Sequence, residues 1–290
     1  MKIALAQISP RLGDLDANLR KHLDVVDRAR SRGAHIVCFP ELSLTGYYLR
    51  DLTATVGVRP SVDDPIFGQL LAAARDIDVI VGFVEETPRY LYHNSAAYLS
   101  AGRVLHIHRK VYLPTYGMFD EQRFLATGDE VRSFDTPHGR MAILICEDLW
   151  HLSLPYLAWL DGADYVVGLV ASPGRGARES SERLASAEVW DMLGRALAQF
   201  LTSYVVFVNR VGYEDGVGFF GGSLAVAPSG HAVARAADLV EDLVVVDLDP
   251  ARLRRERIKY PLLRDERPEL TLRELQRITQ ARLAMGEGAS

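Results

Sequence analysis

Met141-Ala142-Ile143-Leu144-Ile145-Cys146-Glu147-Asp148-Leu149-Trp150 is an unbroken apolar run that gives way abruptly to a thiol and two acids. The run reads as a buried strand, and a cysteine at its end meets a polar cavity. Strand ends and the turns after them hold side chains rigidly while leaving one face open, which is where a nucleophile belongs. A free cysteine also packs well as a small hydrophobe, so Cys146 by itself does not define a site.

Two upstream stretches repeat the pattern. In His35-Ile36-Val37-Cys38-Phe39-Pro40-Glu41, Pro40 stops the strand ladder and a carboxylate follows. His106-Ile107-His108-Arg109-Lys110 is strand-like and ends in a lysine. The three runs deliver Glu41, Lys110 and Cys146 near their C-terminal ends, and in open α/β sheets the strand C-termini form the edge at which sites assemble. Together these groups suit attack on a carbon bearing a C–N bond. The carboxylate accepts the thiol proton, the ammonium stabilises the tetrahedral oxyanion, and the sulfur carries the acyl group until water releases it. Pairing lysine with glutamate in a dry pocket keeps both charged, and the nearby positive charge favours thiolate.

These segments resemble the nitrilase, or carbon-nitrogen hydrolase, superfamily, and the resemblance runs from Lys2-Ile3-Ala4-Leu5-Ala6-Gln7 to the tail beginning Tyr260-Pro261-Leu262. It rests on Phe39-Pro40-Glu41 with Thr45-Gly46-Tyr47, on Arg109-Lys110-Val111-Tyr112-Leu113-Pro114, and on Cys146-Glu147-Asp148, in the family's order. It implies that Glu41 is the general base, Lys110 the oxyanion stabiliser and Cys146 the nucleophile, with the backbone N–H of Glu147 completing the oxyanion hole. Phe119-Asp120-Glu121-Gln122-Arg123-Phe124 is similar to the family's loop after the lysine, which makes Glu121 a further acid that orients Lys110 and assists proton transfer. The implied fold is an αββα sandwich, two mixed sheets with helices on the outer faces. Copies of such chains usually pair, so a homodimer or higher homo-oligomer is expected. Neither a cofactor nor a metal is implied.

The residue after the cysteine bears on the substrate. Nitrile-cleaving relatives typically have tryptophan there, whereas this chain has Glu147, which favours amides. Leu113 to Phe124, together with Cys146-Glu147-Asp148-Leu149-Trp150, is most similar to the glutaminase domain of glutamine-dependent NAD synthetases, where a downstream serine and arginine hold the amino-acid head of glutamine. Ala171-Ser172-Pro173-Gly174-Arg175-Gly176-Ala177-Arg178 puts Ser172 and Arg178 at those positions. Independently, an arginine fork matches a carboxylate. Arg175 is an alternative to Arg178, and Arg178 also reads as a surface residue at a helix start. Tyr116, Phe119 and Trp150 lie close in sequence to the reactive positions; aromatics there are commonly core, and Tyr116 and Trp150 are carried as candidate substrate contacts. The Ser-Gly-Gly pyrophosphate loop of the synthetase half is absent from the sequence. The expectation is a free-standing enzyme acting on a small-molecule amide. An N-carbamoyl amide hydrolase is one alternative, and a glutaminase supplying ammonia to a separate synthetase partner chain is another. A non-catalytic binding protein on the same fold is the reading from a different class.

Composition narrows the remaining classes. A chain of 290 residues can bury roughly 75% of its unfolded surface as one large domain, expected here over residues 1–290 with a helical tail from about Pro268. The formal charge of -5 argues against nucleic acid, and the basic run Arg252 to Lys259 reads as a solvated helix face. Met1 to Ser9 has one lysine and no apolar leader core, and no stretch approaches the roughly 18 apolar residues of a membrane helix. Two cysteines suit a reducing compartment, so a cytoplasmic protein without membrane partners is expected, with Cys38 in the core.

Periodicity predicts strands at Lys2 to Gln7, His35 to Phe39, Asp78 to Glu85, Asn94 to Ser100, Arg103 to His108, Val131 to Asp135, Met141 to Cys146, Tyr165 to Leu169, Val205 to Val211, Gly222 to Ala227 and Leu243 to Asp247. It predicts helices at Leu15 to Ser31, Pro65 to Asp76, Leu152 to Asp161, Ser181 to Ser203, Pro250 to Lys259 and Leu270 to Met285. Gly216 to Gly221 spells GxGxxG but precedes a strand instead of opening a helix, so it reads as a hairpin loop and not a dinucleotide site. His106 and His108 share a strand face without a second ligand pair at metal-site spacing, and read as core or surface histidines.

Overall fold

The computed structural model describes residues 1–177 and 183–287. In chain order its strands are β1 (Lys2–Gln7), β2 (Ile36–Cys38), β3 (Asp78–Glu86), β4 (Tyr92–Ser100), β5 (Arg103–Arg109), β6 (Ser133–Thr136), β7 (Gly139–Ile145), β8 (Tyr165–Val170), β9 (Tyr204–Asn209), β10 (Val211–Glu214), β11 (Val217–Phe220), β12 (Leu224–Val226), β13 (Ala232–Arg235) and β14 (Asp242–Asp247). The helices are α1 (Leu15–Ser31), α2 (Pro65–Ala73), α3 (Ser153–Leu160), α4 (Ala185–Phe200), α5 (Pro250–Lys259), α6 (Leu262–Asp265) and α7 (Pro268–Glu287).

Among the described residues the strands form two six-stranded mixed sheets and a two-stranded ribbon. Both sheets follow one plan. In the first, β1, β2 and β3 run parallel, with β14 added antiparallel at one edge and β4 and β5 at the other. In the second, β7, β8 and β9 run parallel between antiparallel β6 on one side and β12 and β13 on the other. Because β5 is reversed twice relative to β3, it runs the same way as β2, and their C-terminal ends share an edge.

The side-chain alternation sets the layers. Met141, Ile143 and Ile145 of β7 point into the core between the sheets, against Ile3, Leu5, Ile36 and Ile80. Ala142 and Leu144 point the other way, onto Leu154 and Trp159 of α3 and Trp190 and Leu197 of α4. On the first sheet Ala4, Val37 and Val79 meet Leu19 and Val26 of α1 and Phe67 and Leu70 of α2. A strand covered on both faces must be apolar at every position, which is why these runs lack a period of two. The result is helix, sheet, sheet, helix, the expected αββα sandwich. Asp14 caps α1 through the Ala17 N–H, and Asp64 caps α2 through the Ile66 and Phe67 N–H groups, filling donors that a helix start leaves open.

Two expectations are corrected at the second sheet. The strand expected through Val211 stops at Asn209, because the chain turns the Arg210 side chain into the interior before β10 begins. The glycine-rich stretch from Gly216 is not a loop. β10 and β11 pair from Val211↔Phe220 to Glu214↔Val217, so the loop is Asp215-Gly216, both at positive φ (49° and 81°) as a two-residue type I′ turn requires. The helix expected from Ser181 is described from Ala185, and its first expected residues lie outside the described ones. No helix among the described residues is long and apolar enough to cross a membrane.

Candidate active site

Each reactive side chain is set by the backbone that follows its strand. After β2 the chain passes Pro40 and makes a tight turn in which the Thr45 and Gly46 N–H groups close onto the Leu42 carbonyl, with Leu42 at φ 48°. That turn lies directly on β3. A Cβ at Gly82 would sit 2.5 Å from the Pro40 oxygen and 2.6 Å from the Leu42 nitrogen, so only glycine lets Glu41 come this close. Lys110 follows β5, where alternation separates two adjacent cations. Arg109 faces away and forks Glu85 (Nε to Oε2 2.8 Å, Nη2 to Oε1 2.6 Å), while Lys110 turns inward and is completely buried. Cys146 follows the last residue of β7 at φ 46°, a left-handed position that costs on the order of 1–3 kcal/mol for a side-chain-bearing residue. It opens the 3-10 turn Cys146–Trp150, and its half-buried thiol is lifted out of the strand line.

The cluster is an ion triad in the dry interior. Lys110 Nζ donates to Glu41 Oε1 at 2.7 Å and to both oxygens of Glu121 at 2.7 and 2.9 Å. Tyr47 Oη donates to Glu121 Oε1 at 2.5 Å. Burial alone would lower the lysine pKa, but the Glu121 and Glu41 carboxylates outweigh it and hold Lys110 well above its ordinary value. Burial pushes Glu121 up, against the pull of Lys110, and Glu41 adds to the rise. The Cys146 thiol is raised well above the ordinary range, by burial first and by Glu41 second, against Lys110 and a hydrogen bond from the Ala171 backbone. Lys110 therefore favours thiolate as expected, but does not prevail. The resting sulfur is a thiol that needs a base, and Glu41 Oε2 is a buried acceptor with no partner in the protein.

The other sequence candidates divide. The Glu147 N–H lies in the first turn of the 3-10 helix opened by Cys146, where N–H groups lack partners within the helix. Ser172, buried just after β8, donates its N–H to Asn209 Oδ1 at 2.9 Å. Tyr116 and Trp150 are exposed and not core, at 56% and 46%. Tyr116 Oη donates to Glu147 Oε2 at 2.8 Å, and its ring meets Phe119 edge-on. Its hydroxyl is pushed up to about 12 by burial and by Glu147, with the Cys146 and Lys110 charges also acting on it. Trp150 stands edge-on to Trp190 instead, 5.5 Å between centroids. Arg178 lies outside the described residues. Its alternative, Arg175, is exposed with its guanidinium 5.8 Å from the Phe119 ring centre.

Asn94, Asp148 and the pair of Arg210 and Glu214, to which the sequence assigned no role, complete the site. Asn94, buried on β4, donates Nδ2 to Glu41 Oε1 at 2.8 Å. Asp148, fully buried, accepts from the Ile145 N–H and His108 Nε2 on one oxygen and from the Val111 and Tyr112 N–H groups on the other. Glu214 accepts the Tyr47 and Tyr48 N–H groups and pairs with the buried Arg210 at 2.6 Å. Asp148 stood in the Cys146-Glu147-Asp148 motif without a role of its own, and the others sit among polar neighbours, as Asn94 does between His93 and Ser95. Of the histidines read as core or surface, His108 is buried on Asp148, and His106 is partly buried and stacks on Phe134 at 4.1 Å.

Comparison with known proteins meets this geometry at several points. A family model described as carbon-nitrogen hydrolase matches residues 2–257. The glutamine-dependent NAD(+) synthetase of Aquifex aeolicus is 32% identical over 260 residues, covering 89% of this chain and 44% of the relative. The chain thus spans under half the length of such synthetases. A variant of the amidase from Nesterenkonia sp. AN1, in which acrylamide has undergone Michael addition at the active site cysteine, superposes with a TM-score of 0.79 at 26% identity, covering 94% of this chain and 99% of that one. The carbon-nitrogen hydrolase of Helicobacter pylori G27 shares the fold, with a TM-score of 0.84 at 22% identity over 95% of this chain and 98% of that one. On the family match across most of its length and the shared two-sheet architecture, the chain belongs to the carbon-nitrogen hydrolase family.

Proposed function

We propose that the protein is a thiol amidohydrolase that cleaves the C–N bond of a small amide through a Cys146 acyl-thioester, releasing ammonia and a carboxylic acid. The observation that carries this reading is the Lys110 ammonium held between Glu41 and Glu121 beside a half-buried cysteine. Glu41 Oε2 takes the Sγ proton as sulfur attacks the amide carbon. The carbonyl π electrons move to oxygen, and the oxyanion is met by Lys110 Nζ and the Glu147 N–H. Collapse breaks the C–N bond, with the proton on Glu41 passing to the departing nitrogen. Water then attacks the thioester, gives its proton to Glu41, and the sulfur leaves and is reprotonated. Glu121 orients Lys110 from the opposite side, and its raised pKa suits it to assist proton transfer.

A narrower reading, a glutaminase that feeds ammonia to a separate synthetase, draws support from the similarity to glutamine-dependent NAD synthetases and from Ser172 beside the nucleophile strand. The test is ammonia release from a panel of aliphatic amides, glutamine, N-carbamoyl amides and nitriles, with intact-mass detection of an acyl adduct. The expected result is turnover of an amide and an adduct that disappears in Cys146→Ala. No release and no adduct across the panel would end the enzyme reading, and glutamine preferred over simple amides would select the narrower one.

A further inference from the structure

Asn94 is the third residue of β4, fully buried, paired with Val84 on β3 and facing Lys110, the residue just after β5, on its other side. It touches both charged partners of the triad in different ways. Its Nδ2 donates to Glu41 Oε1, the same oxygen that accepts Lys110 Nζ. Its backbone carbonyl accepts the Lys110 N–H at 2.8 Å. An ionised carboxylate only accepts, so the amide must present its nitrogen to Glu41. That orientation leaves Asn94 Oδ1 buried without a protein partner, a cost that an apolar strand residue would avoid. Ser95, the next residue, provides a comparison on the opposite face. Its Oγ donates to Glu85 Oε2 at 2.8 Å, so it too serves a buried carboxylate paired with a cation, but one remote from the thiol.

We propose that Asn94 is a positioning residue that, together with Lys110, occupies Glu41 Oε1 and so leaves Oε2 as the oxygen that takes the Cys146 proton and returns it to the leaving nitrogen. The inference rests on the role of Glu41 as base. With both donors on one oxygen, the carboxylate cannot turn its free lone pairs away from sulfur without breaking two charge-assisted hydrogen bonds. The other charged or titratable groups acting in this cluster are Lys110, Glu121, Tyr47, Cys146 and the buried Arg210. Its pH response is therefore a property of the set.

The test follows alkylation of Cys146 by iodoacetamide from pH 5 to 9 in the full chain, which needs no amide substrate and so stays informative if the amide reading fails. Asn94→Ala should slow alkylation at pH 7 about tenfold, the loss of one hydrogen bond to a charged group, and move the acid-side fall of the rate to higher pH. Ser95→Ala should leave both within twofold. In a Glu41→Gln background, Asn94→Ala should add nothing further. With any amide that is turned over, kcat should fall while KM changes little. An unmoved acid limb, an equal effect of Ser95→Ala, or the same slowing with glutamine at position 41 would overturn the proposal. Should Asn94→Ala not fold, Asn94→Leu keeps the volume and removes the donor without adding a titrating group, and is read by the same limb.

Discussion

Lys110 is the residue on which the charge balance of the site turns. Its ammonium faces two carboxylates, both buried, so the proposed oxyanion role and the pairing of those charges meet in one side chain. Lys110→Ala should lower kcat on the order of a hundredfold to a thousandfold, the usual consequence of losing one oxyanion donor. It should also destabilise the fold, because breaking a buried pair strands the partner charge at about 3–5 kcal/mol. The sign with pH follows from Glu121, which is already raised and would rise further without the lysine. A carboxyl with a raised folded pKa binds more protons folded than unfolded, so stability is lost as pH climbs from the unfolded value through the folded one. The melting deficit of Lys110→Ala against wild type should therefore be larger at pH 8 than at pH 5, and a deficit independent of pH would show that the carboxylates are not what the lysine holds. Glu41, Lys110 and Cys146 were legible because each closes an apolar run. Glu121 came from family resemblance alone, since Asp120-Glu121-Gln122-Arg123 has no periodicity to place it. Asn94 and Asp148 were not legible as actors, because a polar residue within or just after a strand says nothing of its distant partner.

At the scale of elements, helix α1 and strand β3 together present Glu41, the proposed base. His22 of α1 bonds the Ser43 hydroxyl through Nε2 at 2.9 Å, and Asn18 donates to the Leu44 carbonyl, so the helix grips the turn carrying Glu41 from one side while Gly82 supports it from the other. A methyl at Gly82 meets only backbone atoms, which cannot swing aside. Gly82→Ala should lower kcat about a hundredfold, as displacements near 1 Å do, with a lowered Tm; normal kinetics would mean that the turn has slack the contacts deny. His22 adds a pH handle, since burial lowers its pKa to about 4. An unfolded histidine takes its proton near 6.5, so this histidine's stabilisation is complete above that value and lost as pH falls toward 4. Elements of this kind were largely legible: α1 and β1 match their expected bounds, because long runs average out local ambiguity. The ribbon of β10 and β11 was misread because its glycines hid a strand with only Phe219 and Phe220 to mark it, although Asp215-Gly216 is a strong hairpin signal.

At the scale of the whole molecule, the site exists only because two sheets are held in register at one edge. Glu41 and Lys110 come from the first sheet, and Cys146 and Ser172 from the second. Gln7 at the end of β1 accepts from the Ser223 N–H and hydroxyl beside β12, and Glu214 beside Arg210 holds the Tyr47 turn. The most direct tie is Asp148, which joins the end of β7 to the two residues after Lys110. In Asp148→Asn the amide nitrogen can be accommodated in one orientation. It would face His108, whose ring can switch tautomer to accept, leaving the Ile145 N–H as the orphan, at about 1–3 kcal/mol. Asp148→Ala orphans all the donors and should be worse. With a shift of roughly 2–4 °C per kcal/mol in a large domain, Asp148→Asn should lower Tm by about 2–12 °C. Because the lost contacts span the gap between Lys110 and Cys146, kcat should fall further than the folded fraction accounts for. Thermal melts and initial rates on both variants check this. If Tm falls but kcat per folded molecule is unchanged, Asp148 braces the sheets without setting the catalytic distance, and the register of the two sheets must then be held by Gln7 and Glu214.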